Sequence, residues 1–169
     1  MVSDQAILDR IASGEREAFA ELVHRYQQPL FGFLGRMGLT QAQAEDIAQE
    51  TFLRAWSHLA QFDPARAQFS TWLYTIARNL AFTMLAARQD QAGLPDDVLA
   101  DLAWAHPNPM QQLQAKQDQQ QLQQAIRRLP LADRSALALA YTHGMQLTDV
   151  ARIEGVSLAA IKTRLHRAR

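Results

Sequence analysis

Lys162, Thr163, His166 and Arg167 lie close to the C-terminus at spacings that put them on one face of any helix containing them. Lysine, threonine, histidine and arginine are all hydrogen-bond donors. Together they suit phosphate oxygens and the purine edges of a duplex groove. Ala159 and Ala160 come just before them and are small enough to let a helix start approach base edges. The stretch from Gly155 to Arg169 has no acid, although the whole chain is formally neutral with 17 basic and 17 acidic residues. Leu158, Ile161, Leu165 and Ala168 recur at i, i+3, i+7 and i+10, the expected buried stripe of the same helix.

A basic helix alone would read as a solvated surface. Its setting favours DNA binding. A short helix is expected over Leu147–Ile153, followed by a three-residue turn, Glu154 to Val156. Gly155 supplies the positive φ that such a turn needs, and Ser157 caps the next helix. This is helix–turn–helix spacing, with the basic face on the second helix.

Two further sets of residues could take part in recognition. Asp46, Gln49 and Glu50 fall at i, i+3 and i+4, and Arg54 continues their face; Ile47, Phe52 and Trp56 point the other way and are expected to be buried. Between Gln61 and Asn79, Trp72 and Tyr74 offer stacking surfaces, and Asn79 offers a donor and an acceptor to a base edge. Trp72, Ile76 and Leu80 share a stripe, which favours core packing for Trp72.

The charge is segregated. Residues 126–169 carry eight basic and three acidic side chains, whereas residues 90–125 carry one and five. A polyanion would therefore meet the C-terminal block first. His24, His58, His106, His143 and His166 lack metal-ligand spacing, and neither a phosphate-binding glycine loop nor a nucleophile elbow appears. An enzyme is thus the weakest reading, and no cofactor, metal or small-molecule substrate is expected. The absence of cysteine fits a reducing cytoplasm. The first residues do not resemble a signal peptide, and no apolar run is long enough to insert in a membrane.

The elements that must position these residues read as helices throughout, an all-α chain of two small domains. Ser3 caps a short helix that stops near Gly14. Phe19, Leu22, Val23, Tyr26, Leu30, Phe33 and Leu34 form the stripe of a second helix, which Pro29 is expected to kink or interrupt. Thr40 and Gln43 form a capping box that opens a helix reaching about Leu59. After an Asp-Pro loop, Ser70 or Thr71 is expected to cap a fourth helix. A linker rich in proline and acid follows over 89–109, with room for one short turn around Val98–Trp104. It separates a first domain, 1–88, from a second, 110–169. The second opens with a Gln-rich helix ended by Pro130, then a short helix closed by Gly144.

The run "AEDIAQETFLRAWSHLAQFDPARAQFSTWLYTIARNLA", Ala44 to Ala81, resembles conserved region 2 of the extracytoplasmic-function group of bacterial sigma factors. The run "LPLADRSALALAYTHGMQLTDVARIEGVSLAAIKTRLHRAR" is similar to their region 4. The resemblance covers about residues 15–88 and 126–169, in the family's order. It implies that Asp46, Gln49, Glu50 and Arg54 dock on the β′ clamp of core RNA polymerase. A row of polar groups suits such an orienting, reversible contact. It implies that Asp63, Arg66, Gln68, Phe69, Ser70, Thr71, Arg78 and Asn79 recognise and melt the minus-ten element of promoter DNA. Lys162, Thr163, His166 and Arg167 would read the minus-thirty-five element, with Arg134 and Arg152 on phosphates. The apolar segment Leu137–Tyr141 resembles the part that also meets the β flap. An anti-sigma factor, in some cases at the membrane, is a family-based expectation.

Three departures from the family pattern stand out: few basic residues after Asn79, Gln146 in place of a hydroxyl cap, and Glu154 in place of an apolar residue. The rivals are a stand-alone helix–turn–helix regulator, which would bind a palindrome as a dimer, and a helical adaptor, which would need no basic face.

Overall fold

The computed structural model describes residues 2–89, 121 and 124–168, and every regular element among them is helical. The first half holds α1 (Asp4–Ala12), α2 (Phe19–Arg36), α3 (Gln41–Ser57) and α4 (Phe69–Gln89). The second holds a helical stretch over residues 124–128, then α5 (Leu131–Leu137), α6 (Leu147–Glu154) and α7 (Leu158–Arg167). Of the linker expected over 89–109 the first residue, 89, ends α4; the rest of the linker, its short turn and most of the Gln-rich segment lie outside the described residues.

Among the described residues, side-chain caps set three of the seven helix starts, those of α1, α3 and α7. The Ser3 hydroxyl accepts from the Ala6 amide at 3.2 Å. The Thr40 hydroxyl accepts from the Gln43 amide at 3.1 Å, and Gln43 Oε1 accepts from the Thr40 amide at 3.0 Å, completing the capping box. Asp4 at the start of α1 binds both Arg25 and Tyr26, which fastens α1 to α2.

Packing overrides two local expectations. Helix α2 runs through Pro29 without interruption. The proline forfeits a bond to the carbonyl of Arg25, at a cost of about 3 kcal/mol or more. Leu22 before it and Leu30, Phe33 and Leu34 after it are fully buried, and their burial holds both halves of the helix in place. Helix α4 starts at Phe69, so Ser70 and Thr71 lie inside its first turn and do not cap it. The Trp72 amide already donates to the carbonyl of Gln68 at 3.1 Å. Burial of Phe69 against Phe62 and Tyr26 draws the helix start forward.

Helices α2, α3 and α4 enclose Phe33, Ile47, Phe52, Leu73, Tyr74 and Ala77. Ile47 and Phe52 are buried as expected, whereas Trp56 is half-buried at a surface groove, its ring tilted against Phe19 with centroids 5.0 Å apart. The core continues into the second half through Ala136, Leu139, Val150, Ile153, Ile161 and Leu165. Helix α6 packs on α4, so the two halves close on each other. Between α5 and α6 the chain makes a π-helical turn, Ala138–Thr142, ended by Gly144 at φ 59°.

Candidate nucleic-acid interface

The helix–turn–helix forms as its sequence requires. Gly155 has φ 65°, and its amide bonds back into α6 at Arg152, a left-handed end that a β-carbon would strain. The Ser157 hydroxyl accepts from the Ala160 amide at 3.1 Å and starts α7. Ile161 and Leu165 are buried beneath it, while Leu158 is 36% exposed and lies at the rim of the expected stripe. Lys162, Thr163, His166 and Arg167 are all exposed on the outer face. The Thr163 hydroxyl donates to the carbonyl of Ala159 at 3.0 Å, which fixes its rotamer and leaves oxygen lone pairs free to accept. Arg164 turns the other way, toward Glu154 at 3.5 Å.

Sequence reasoning placed eight residues at the second DNA surface, and the structure spreads them over different depths. Asp63, Arg66, Gln68 and Asn79 are exposed. Asp63 Oδ1 accepts from the Ala65 amide at 2.9 Å and so shapes the loop. Ser70 is half-buried, and Phe69 and Thr71 are 2% and 3% exposed. Phe69 sits among Tyr26, Phe62 and Trp72, with ring centroids 5.7, 5.9 and 5.9 Å away. Trp72 is half-buried in that cluster, and Tyr74 is the core aromatic at 2% exposure. Gln68, Ser70 and Tyr74 also line a recess of about 580 Å³ between the first half and the segment 142–149.

Of the four arginines assigned to DNA outside α7, Arg66 is exposed and the other three are engaged across the two halves. Arg78 Nη2 lies 3.2 Å from Glu154, and its guanidinium covers the Phe82 ring at 3.6 Å. Arg134 Nη1 donates to the carbonyl of Met37 at 3.0 Å, and burial, then the nearby Arg127, lower its pKa. Arg152 Nη1 donates to the carbonyl of Arg66 at 3.3 Å and also faces Asp149 at 3.7 Å.

On α3, Asp46 and Gln49 are exposed, and Glu50 accepts from Arg54 Nε at 2.6 Å, an ion pair along the helix face. Gln49 borders a groove of about 800 Å³ whose floor includes Phe19, Val23, Phe52 and Trp56, with Leu53 55% exposed at its edge. This polar row with an apolar trough beside it is the shape of a helix-docking surface.

Sequence reasoning missed the role of Glu154. An acid where an apolar residue is usual was its only signal. The structure makes it a buried hub that takes a hydrogen bond from Ser135 and faces Arg78 and Arg164.

Comparison with known proteins places these two helical halves in the sigma-70 class of transcription-initiation factors. The models for sigma-70 region 2 and sigma-70 region 4 match residues 22–91 and 119–169. The extracytoplasmic-function sigma factor RpoE of Cereibacter sphaeroides is 33% identical over 157 residues, 91% of this chain and 83% of that protein. SigW of Bacillus subtilis, of the same group, is 29% identical over 96% of this chain and 90% of its own length. Among solved structures, CnrH in complex with the cytosolic domain of CnrY superposes with a TM-score of 0.71 at 25% identity, covering 98% of this chain and 92% of CnrH. RpoE of Bartonella quintana, bound to the anti-sigma factor NepR, gives 0.69 at 28% identity over 89% of this chain and 91% of its own. The chain belongs to the extracytoplasmic-function group of RNA polymerase sigma factors. No helix among the described residues is long and apolar enough to cross a membrane.

Proposed function

We propose that this chain is an alternative sigma factor with its tasks divided by region. Residues 1–88 bind core RNA polymerase and the minus-ten element, residues 89–109 link, and residues 110–169 read the minus-thirty-five element. The observation that carries the reading is the free outer face of α7, with Lys162, Thr163, His166 and Arg167 exposed behind a correctly capped turn. Asp46, Gln49, Glu50 and Arg54 set the orientation of the β′ clamp contact, and the apolar trough beside Gln49 supplies its buried area. The region around Leu137–Tyr141 meets the β flap, where Tyr141 is 57% exposed.

Melting needs a base to leave the stack and be held. The exposed Asp63, Arg66, Gln68 and Asn79 border the surface where that capture would occur. The protein does no covalent chemistry, acts in the cytoplasm and is held inactive by an anti-sigma factor, as the named partners of CnrH and Bartonella RpoE suggest by analogy. Gel filtration of the full chain with core polymerase tests the reading. Co-elution at one-to-one stoichiometry is expected; separate elution at micromolar concentrations of both is the opposing result.

A further inference from the structure

Glu154 occupies an unfavourable place for an acid. It ends α6, where the helix dipole presents partial negative charge, and its side chain has no solvent exposure. Burial pushes its carboxyl pKa upward, against the pull of Ser135, Arg78 and Arg164. An apolar side chain would carry none of these costs, and a buried ion pair returns little net stability over a well-packed hydrophobic contact. What the acid adds is directional: it holds particular groups in particular places.

Within the second half, the carboxylate joins three helices. It belongs to α6, accepts from the Ser135 hydroxyl on α5 and faces Arg164 Nη1 on α7 at 3.5 Å. Ser135 is itself fully buried, so one carboxylate oxygen has a fixed partner. The other oxygen is left for guanidinium groups, Arg164 and, from the first half, Arg78 at 3.2 Å.

Arg164 lies three positions before Arg167, so the two are neighbours on the helix surface. Arg167 is exposed, as is Lys162, whereas the Arg164 side chain is 21% exposed and turned to Glu154. Among the described residues, Arg164 is the one cation of α7 that faces an acid. An arginine extended from this position, beside Arg167, would reach phosphates flanking a groove that holds α7. Its guanidinium is taken up by Glu154 instead.

We propose that Glu154 is a positioning residue that draws Arg164 away from DNA, so that the reading helix meets the duplex with one cation fewer than its sequence carries. This rests on the assignment of α7 to duplex DNA. Phosphate contacts act at every site alike, whereas base-edge contacts act at one sequence. Withholding Arg164 lowers the first kind and leaves the outer face, Lys162, Thr163, His166 and Arg167, as it is. The chain is then less readily held on DNA outside its promoters.

The salt dependence of duplex binding counts phosphate contacts. The full chain is titrated at several salt concentrations against a labelled random-sequence duplex of about 20 base pairs, long enough for one reading helix. Glu154→Gln and Glu154→Leu should each steepen the slope of log affinity against log salt by about one. Arg164→Ala should leave the parent's slope unchanged, and added to Glu154→Leu it should restore that slope. A slope steepened by the lost charge alone, or by release of Arg78, would survive Arg164→Ala, and that result overturns the proposal. So does an unchanged slope in the folded Glu154 variants, a shallower slope in Arg164→Ala, or failure of both Glu154 variants to fold, which would make the acid a structural residue. Failure of the assignment of α7 to DNA appears separately, as a slope that neither Lys162→Ala nor Arg167→Ala changes, and it takes the proposal with it.

Discussion

Tyr74 Oη lies 3.3 Å from Nδ1 of His143, a contact between α4 and the end of the π-helical turn. Phe33 packs edge-on to both rings, at 5.4 Å from Tyr74 and 6.1 Å from His143. Burial, and secondarily the Arg36 charge, push the His143 imidazole down from 6.5 to about 4. The folded chain therefore keeps this histidine neutral where the unfolded chain takes up a proton. Its cost is absent above pH 6.5 and grows as pH falls toward 4.

The first prediction concerns that window. The thermal midpoint of the parent should fall between pH 7 and pH 5 more steeply than that of His143→Phe. Glu154, raised by burial from 4.5, acts with the opposite sign at the acid end, and it is common to both proteins. Parallel midpoints across the window, measured by circular dichroism, would show that His143 protonates equally in both states.

The capping box of α3 gives a stability prediction. Thr40→Ala leaves the Gln43 amide without its acceptor and should cost about 1 kcal/mol in urea unfolding. Gln43 Oε1 also accepts from Arg88 Nη1 at 3.1 Å, at the end of α4. Gln43→Ala should therefore cost at least as much as Thr40→Ala, since it removes a contact between helices as well.

Thr40 and Gln43 were legible because a cap depends on residues three apart. So were Ser3, Gly155 and Ser157, whose partners lie within one turn, and the exposed face Lys162, Thr163, His166 and Arg167, fixed by helical period. The fourth helix was misread at its start because Phe69 is drawn in by Phe62 and Tyr26, neither adjacent in sequence. Pro29 has the right local chemistry for a break, and the burial of Leu30 and Phe33 outweighs it. Arg78, Arg134 and Arg152 carry no sequence mark of the partners they meet in the other half; only Asp149, which Arg152 also faces, lies at helical spacing. Spacing identifies a basic side chain and not which acid or carbonyl it meets after the halves close.

Region 4 duplex contacts should show in salt dependence. Lys162→Ala and Arg167→Ala should each lower the slope of log affinity against log salt by about 1 where the side chain neutralises a phosphate. If either reads a base instead, it should relax sequence preference at one position with little change of slope. Duplex binding by fluorescence anisotropy at several salt concentrations separates these, and a variant matching the parent in both slope and preference removes that residue from the interface.

The α3 face makes a separate prediction. Asp46→Lys with Gln49→Ala should weaken binding to core polymerase about tenfold or more while leaving duplex affinity unchanged, because both side chains are exposed and distant in sequence from α7. Titration of labelled protein with core polymerase measures the first quantity and anisotropy the second. Equal polymerase affinity for variant and parent would move the docking surface off this face.

The most direct test of the account is transcription in a purified system. Core RNA polymerase, this chain and pooled genomic fragments from its host are combined, and transcript starts are mapped. The account predicts a discrete set of starts that need both proteins and that share upstream sequence at minus-ten and minus-thirty-five spacing. Starts identical to those of core polymerase alone would contradict it.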